Sequence, residues 1–107
     1  MKIAIASSGE QEDSLVSPVS GRAEYYLIYE DNKLVKTIKN PFVVGGGAGY
    51  AVAGMLINEK VNTVVAGNVG ANMKIALEEK NVTVINISEK SVKEALVEVL
   101  NAKAKKI

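Results

Sequence analysis

The sequence predicts a single α/β domain built on a five-stranded mixed sheet, order 3-2-1-4-5, with strand 2 antiparallel and helices on both faces. Three observations carry this. Two short runs, Ile3-Ala4-Ile5-Ala6 and Thr63-Val64-Val65-Ala66, are apolar almost throughout. That is the pattern of strands covered on both faces, hence central. Tyr25 to Tyr29 and Leu34 to Lys39 flank Asp31-Asn32, residues that tolerate the left-handed backbone of a tight hairpin turn. From Ala48 onward helical and strand-like stretches alternate, which calls for parallel strands joined by right-handed crossovers.

Each element has its own justification. Ile3–Ala6 closes on Ser7-Ser8-Gly9, and Glu10 to Gly21 reads as a polar loop broken by Pro18 and Gly21. Its acidic residues Glu10, Glu12 and Asp13 read as solvated surface. The hairpin's second arm carries Lys33, Lys36 and Lys39, charges that suit an edge strand, and Asn40-Pro41 ends it. Ala48, Ala51, Val52, Met55 and Leu56 follow the i, i+3, i+4 rule and make one helical face to about Lys60. Thr63–Ala66 closes on Gly67-Asn68-Val69-Gly70. Asn72 to Lys80 suits a short helix with Met73, Ala76 and Leu77 inward, and Val82 to Ile85 a further parallel strand. Ser91-Val92-Lys93-Glu94 matches a capping box, opening a helix whose apolar face is Val92, Ala95, Leu96, Val99 and Leu100. Lys103, Lys105 and Lys106 sit where positive charge complements a helix C-terminus. This order is the outline of a ribonuclease H-like sheet.

Composition narrows the function. With 13 basic and 12 acidic side chains among 107 residues, no basic field argues for nucleic acid. The chain has no cysteine and no histidine, so disulfides, thiolate metal sites and imidazole bases are all unavailable. No apolar stretch is long enough to span a bilayer and no secretory h-region stands at the start, so a cytoplasmic domain is expected.

The glycines point to an anion site. Four of the nine glycines, Gly45, Gly46, Gly47 and Gly49, fall within five residues just before a predicted helix. Such a loop exposes backbone N–H groups backed by the helix macrodipole, although the same stretch also suits a tight turn packed on a sheet. In the predicted topology it gathers with Ser7 to Gly21 and Gly67 to Asn72 beyond the carboxyl ends of the strands, where open α/β sheets bind ligands. The candidate binding residues are Ser7, Ser17, Gly21, Arg22, Gly46, Gly47, Gly49, Gly67, Gly70 and Asn72. Arg22 is the only arginine, and its planar fork suits oxyanions, although pairing with nearby Glu24 is the plainer role. Enzymatic readings fail. The central strands end in Ala6-Ser7-Ser8 and Ala66-Gly67-Asn68, without the carboxylates a two-metal nuclease needs. No Gly-Lys-Ser/Thr loop occurs, the dinucleotide fingerprint is incomplete, and Ser7 and Ser8 have no histidine to activate them.

Met1-Lys2-Ile3-Ala4-Ile5-Ala6, Val16-Ser17-Pro18 with Gly21-Arg22-Ala23, Gly46-Gly47-Ala48-Gly49 and Ala66-Gly67-Asn68-Val69-Gly70-Ala71-Asn72 occur in this order. Together they resemble the dinitrogenase iron–molybdenum cofactor biosynthesis family over nearly the whole chain. The resemblance implies one domain across 1–107 of ribonuclease H-like fold. In nitrogen-fixing members such domains bind, carry or hold the iron–molybdenum cofactor or its precursor cluster during delivery. Many members carry His-Phe between the proline and the glycine of the second motif, where this chain has Val19-Ser20. That removes the side chain best suited to touch a cluster metal. The expectation is a non-enzymatic carrier of an anionic metal cluster, or of its oxyanion precursor, with a protein partner in delivery. No cofactor should be tightly bound as isolated, and neither nucleic acid nor membrane is a partner. The alternative is a protein-interaction or small-anion-sensing module unrelated to nitrogen fixation.

Overall fold

A computed structural model describes residues 1–42 and 48–104. Expectations for Gly45, Gly46, Gly47, Lys105 and Lys106 lie outside the described residues. The elements run β1 (Lys2–Ser7), a 3-10 turn (Ser20–Arg22), β2 (Tyr25–Glu30), β3 (Lys33–Lys39), α1 (Ala48–Asn58), β4 (Thr63–Ala66), α2 (Ala71–Glu79), β5 (Thr83–Asn86) and α3 (Val92–Ala104). The sheet order is β3-β2-β1-β4-β5. β1 is antiparallel to β2, with Ile5 opposite Leu27, and parallel to β4, with Ile5 opposite Val65. β5 continues the sheet parallel to β4. The two unbroken apolar runs are therefore adjacent, parallel and central, as expected.

Alternation hidden inside those runs divides the core in two, because successive side chains point to opposite faces. Ala4, Ala6, Tyr26, Ile28, Val64 and Ala66 face α1 and α2, meeting Val52, Ala53, Leu56, Met73 and Leu77. Ile3, Ile5, Leu27, Tyr29 and Val65 face α3, meeting Val92, Ala95, Leu96 and Val99 with Val16 and Ile87 alongside. Each fully buried large aliphatic here contributes roughly 1.5–3 kcal/mol, so the two half-cores together hold the sheet between its helices.

The hairpin turn uses left-handed backbone at Asp31 (φ 50°) and Asn32 (φ 69°), the conformation those residue types tolerate best. β3 is the edge strand. Its pairing with β2 slips between Ile28 and Tyr29, leaving Val35 without a partner opposite it, a bulge the alternation did not announce. β5 is the other edge, and Val84 and Ile85 are only half-buried there. α1 and α2 are followed by Lys60 and Asn81 in the left-handed conformation (φ 62° at each), which turns the chain out of the helix.

One loop does more than its composition suggested. Glu10, Glu12 and Asp13 are exposed, in keeping with a solvated surface. Their backbone, however, runs across the start of α3. Val92 N–H donates to Ser14 O and Lys93 N–H to Glu12 O, both at 2.9 Å, and Val16 N–H donates to Lys90 O at 2.9 Å. The segment thus forms part of the cover over the α3 face. It lies beside Tyr25, whose phenol is raised above its ordinary value by a hydrogen bond to Glu10. Buried Tyr29 lies close to Glu12; burial, then that carboxylate, pushes its phenol up, yet its hydroxyl has no hydrogen-bond partner among the described residues.

Candidate functional site

Since β1, β3, β4 and β5 run in one direction, all three helices begin at the same edge of the sheet, beyond the strands' carboxyl ends. The strand order reverses between β1 and β4, and the loops after these two strands meet there. Ser17 N–H donates to Ala6 O at 2.8 Å, Gly67 N–H to Ser17 O at 2.9 Å, and Ser20 N–H to Asn68 O at 2.8 Å. Three backbone bonds thus stitch the 17–20 segment against the end of β1 and the loop leading to α2. Gly67 allows this approach: a Cβ there would stand 2.8 Å from Pro18 Cα and 2.9 Å from Pro18 O, closer than real Cβ atoms come.

The expected site residues divide by what their atoms already do. Ser7 and Ser17 are buried at the rim, and their hydroxyls serve their own loops. Ser7 Oγ donates to Gly9 O at 2.6 Å, and Ser17 Oγ to Val19 O at 3.0 Å. Gly67 is a packing residue. Gly49, in the first turn of α1, lies where a Cβ would sit 3.4 Å from Met73 Cβ, so it lets α1 and α2 start side by side. Gly21 is half-buried, while Arg22, Gly70 and Asn72 are exposed. Gly46 and Gly47 lie outside the described residues. Arg22 makes no ion pair among the described residues, with Glu24 or any other carboxylate. It lines a cavity of about 280 Å³ with Ser8, Ser17, Pro18, Val19 and Glu24.

The start of α2 completes this rim. Gly70 caps it with extended backbone and no side-chain hydrogen bond, and the first intrahelical bond runs from Lys74 N–H to Gly70 O. Among the described residues the N–H groups of Ala71, Asn72 and Met73 have no acceptor. A Cβ on Gly70 would meet nothing within 4 Å, and Gly70, Ala71 and Asn72 are exposed, so this side of the helix start opens to solvent, while Met73 is buried against Gly49 of α1. Free N–H groups with the positive end of the macrodipole behind them attract anions. Charge is mixed nearby: Arg22 favours an anion in the cavity, and Glu24 on the same wall opposes one.

Two buried side chains that no motif in the sequence singles out support the turn under Arg22. Tyr26, fully buried, donates its hydroxyl proton to Ser20 O at 2.6 Å and accepts from Ser20 Oγ at 2.5 Å. Burial pushes its phenol well above the ordinary value, against the lowering effect of the Ser20 bond. Asn40 is buried too and binds the segment on either side of Arg22. The signal for Asn40 was a single asparagine before a proline, which marks the end of a strand equally well. A larger hollow of about 790 Å³ runs along the solvent side of α3. It is bordered by Lys90 and Glu98, an ion pair at 2.7 Å, by the capped Ser91–Glu94 turn, and by Asp13 and Lys93.

No group of three or more carboxylates converges among the described residues, and the whole chain lacks histidine and cysteine. The donor set therefore does not fit a cluster ligated by cysteine thiolate or imidazole. It fits an anionic cargo held by hydrogen bonds.

An open five-stranded sheet of ribonuclease H-like outline, with a loop rim at the point where strand order reverses, defines the class. The chain belongs to the dinitrogenase iron-molybdenum cofactor family, whose model matches residues 1–102. No curated protein matches it. Among solved structures, the apo form of the orange protein from Desulfovibrio gigas superposes with a TM-score of 0.88 at 24% identity, covering 95% of this chain and 88% of that one. A putative NifB protein from Thermotoga does so with a TM-score of 0.83 at 30% identity, covering 95% and 89%. The first likeness is one of fold. No helix among the described residues is long and apolar enough to cross a membrane.

Proposed function

We propose that this domain is a non-enzymatic carrier that holds an anionic metal cluster of the iron–molybdenum type, or its oxyanion precursor, at the rim and passes it on in the cytoplasm. The observation that carries the reading is the open start of α2 in a loop rim that also presents Arg22, which makes no ion pair among the described residues although Glu24 shares its cavity. Family membership supplies the cargo's chemical class. The cargo would be held from outside: the N–H groups of the exposed Ala71 and Asn72 and the Arg22 guanidinium donate to its oxygens or sulfides, and no side chain replaces a metal ligand. A single helix end contributes only about 0.3–1 kcal/mol when exposed, and a charge-assisted bond from Arg22 adds roughly 1.5–3 kcal/mol. Such a site binds weakly and releases readily, as a carrier must.

Calorimetric titration of molybdate at low ionic strength tests this. The parent chain binds weakly, and Arg22→Ala binds about tenfold more weakly, near the lower bound of a lost charge-assisted bond. No binding by the parent, or equal affinity in both, overturns the proposal. A second reading, docking of a protein at the same rim, is favoured by exposed Val19, Phe42 and Tyr50. It fits a delivery partner as well as an interaction module without cargo, and the same titration separates them.

A further inference from the structure

Asn40 follows β3 directly and is 3% exposed. Its Nδ2 donates to Ala23 O at 2.9 Å and, at the longer distance of 3.4 Å, to Gly21 O. Its Oδ1 accepts from the Phe42 N–H at 2.8 Å. Its own backbone N–H donates to Glu24 O at 2.9 Å. An amide nitrogen only donates and an amide oxygen only accepts, so carbonyls on one side and an N–H on the other fix the side chain's orientation. Of the standard side chains at this length, only this amide can serve both sides. A carboxylate has no proton for the carbonyls, and leucine serves neither side.

The partners give those bonds their meaning. Gly21 O and Ala23 O belong to the residues immediately before and after Arg22. Phe42 is the last residue before Val43-Val44-Gly45-Gly46-Gly47. From the opposite direction, Tyr26 ties down Ser20, and Ser20 N–H ties the same turn to Asn68. The backbone under Arg22 is therefore fixed at Ser20 by the sheet and the β4 loop, and at Gly21 and Ala23 by Asn40. The Asn40 bonds join it to the chain entering the glycine-rich stretch.

We propose that Asn40 is a positioning residue: it clamps the Gly21–Ala23 turn to the Phe42 segment and so sets where Arg22 presents its charge. The inference rests on the rim being the anion site, but the clamp itself is testable without any ligand. In Asn40→Asp the introduced carboxylate still accepts from the Phe42 N–H but sets a charged oxygen against two carbonyls. Burial and those carbonyls raise its pKa. The clamp is open at pH 7.5 and closes again as the carboxyl takes up a proton and regains a donor.

Two measurements decide it. In the ligand-free protein, backbone amide signals of Arg22, Ala23 and Phe42 in Asn40→Asp follow one titration and return toward parent positions as pH falls. In a double-mutant cycle with Arg22→Ala, read by molybdate affinity at pH 7.5, Asn40→Asp weakens binding about tenfold in the parent background and adds no further loss without Arg22. Signals that move on one side of the clamp only, or an equal loss in both backgrounds, overturn the proposal. If the parent binds no molybdate, the carrier reading fails, and the ligand-free titration alone decides the role of Asn40. Should Asn40→Asp not fold, Asn40→Ser, too short to span both partners, is expected to release the same three signals with no pH response. Unmoved signals in Asn40→Ser count against the clamp.

Discussion

α2 and α3 begin along the same edge of the same sheet, and their first turns are finished in opposite ways. At α3 each early N–H has a named acceptor. Ser91 N–H donates to Glu94 Oε1 at 3.0 Å and Glu94 N–H to Ser91 Oγ at 3.2 Å, while Val92 and Lys93 donate into the 12–14 loop. At α2 the cap is Gly70, without a side chain to offer, and the next three N–H groups have no acceptor among the described residues. A closed helix start stabilises the fold. An open one forgoes that stability and leaves donors for something else. The difference separates the part of the edge that holds the α3 face together from the part available to a ligand.

The largest effect that would break this contrast lies at two glycines of one loop. Gly67→Ala drives a Cβ into the Pro18 backbone and strains the Gly67 N–H to Ser17 O bond, at a cost of about 1–3 kcal/mol. Gly70→Ala meets open space at φ −60° and stays within about 0.5 kcal/mol of the parent. Urea unfolding of both proteins measures the gap; equal costs would mean that the rim is not packed as described. Next in size, Ser91→Ala removes the hydroxyl half of the capping box and lowers stability by about 1 kcal/mol, read in the same unfolding experiment. It should leave molybdate affinity unchanged, because that helix start is already filled.

How far the residues announced this arrangement depends on which atoms carry it. The central strands were legible because burial on two faces leaves continuous apolarity. The hairpin was legible because Asp31 and Asn32 belong to the few residue types at ease with positive φ. The capping box likewise names itself through side chains. The 12–14 cover over α3 did not, because its acceptors are main-chain carbonyls, which every residue has. Ser7 and Ser17 look like ligand donors by type, yet their hydroxyls are engaged within their own loops. Asn40 looks like a strand terminator until its two sides are seen bonded.

Smaller effects sharpen the comparison. Gly70→Asp installs on α2 the kind of cap that α3 already has. Stability rises by a few tenths of a kcal/mol, while anion affinity falls because a carboxylate now occupies the helix start. A rise in both on thermal melting and titration would contradict the account. The smallest effect is on the acid limb. The Ser91 N–H, then the Ser91 hydroxyl, hold the Glu94 carboxyl below its ordinary value. A lowered folded value means that this stabilisation is present above the unfolded value and is lost as pH falls through the folded one. The parent should therefore lose stability below about pH 4.5 more steeply than Glu94→Gln. Identical acid-unfolding curves would remove Glu94 from the cap.

The most direct measurement follows every backbone amide by NMR while molybdate is titrated into the ligand-free chain. The account predicts progressive, saturable shifts at Ala71, Asn72, Met73 and Arg22, with the Ser91–Glu94 amides unmoved. Shifts centred on Ser91–Glu94, or spread evenly over both helix starts, would contradict it.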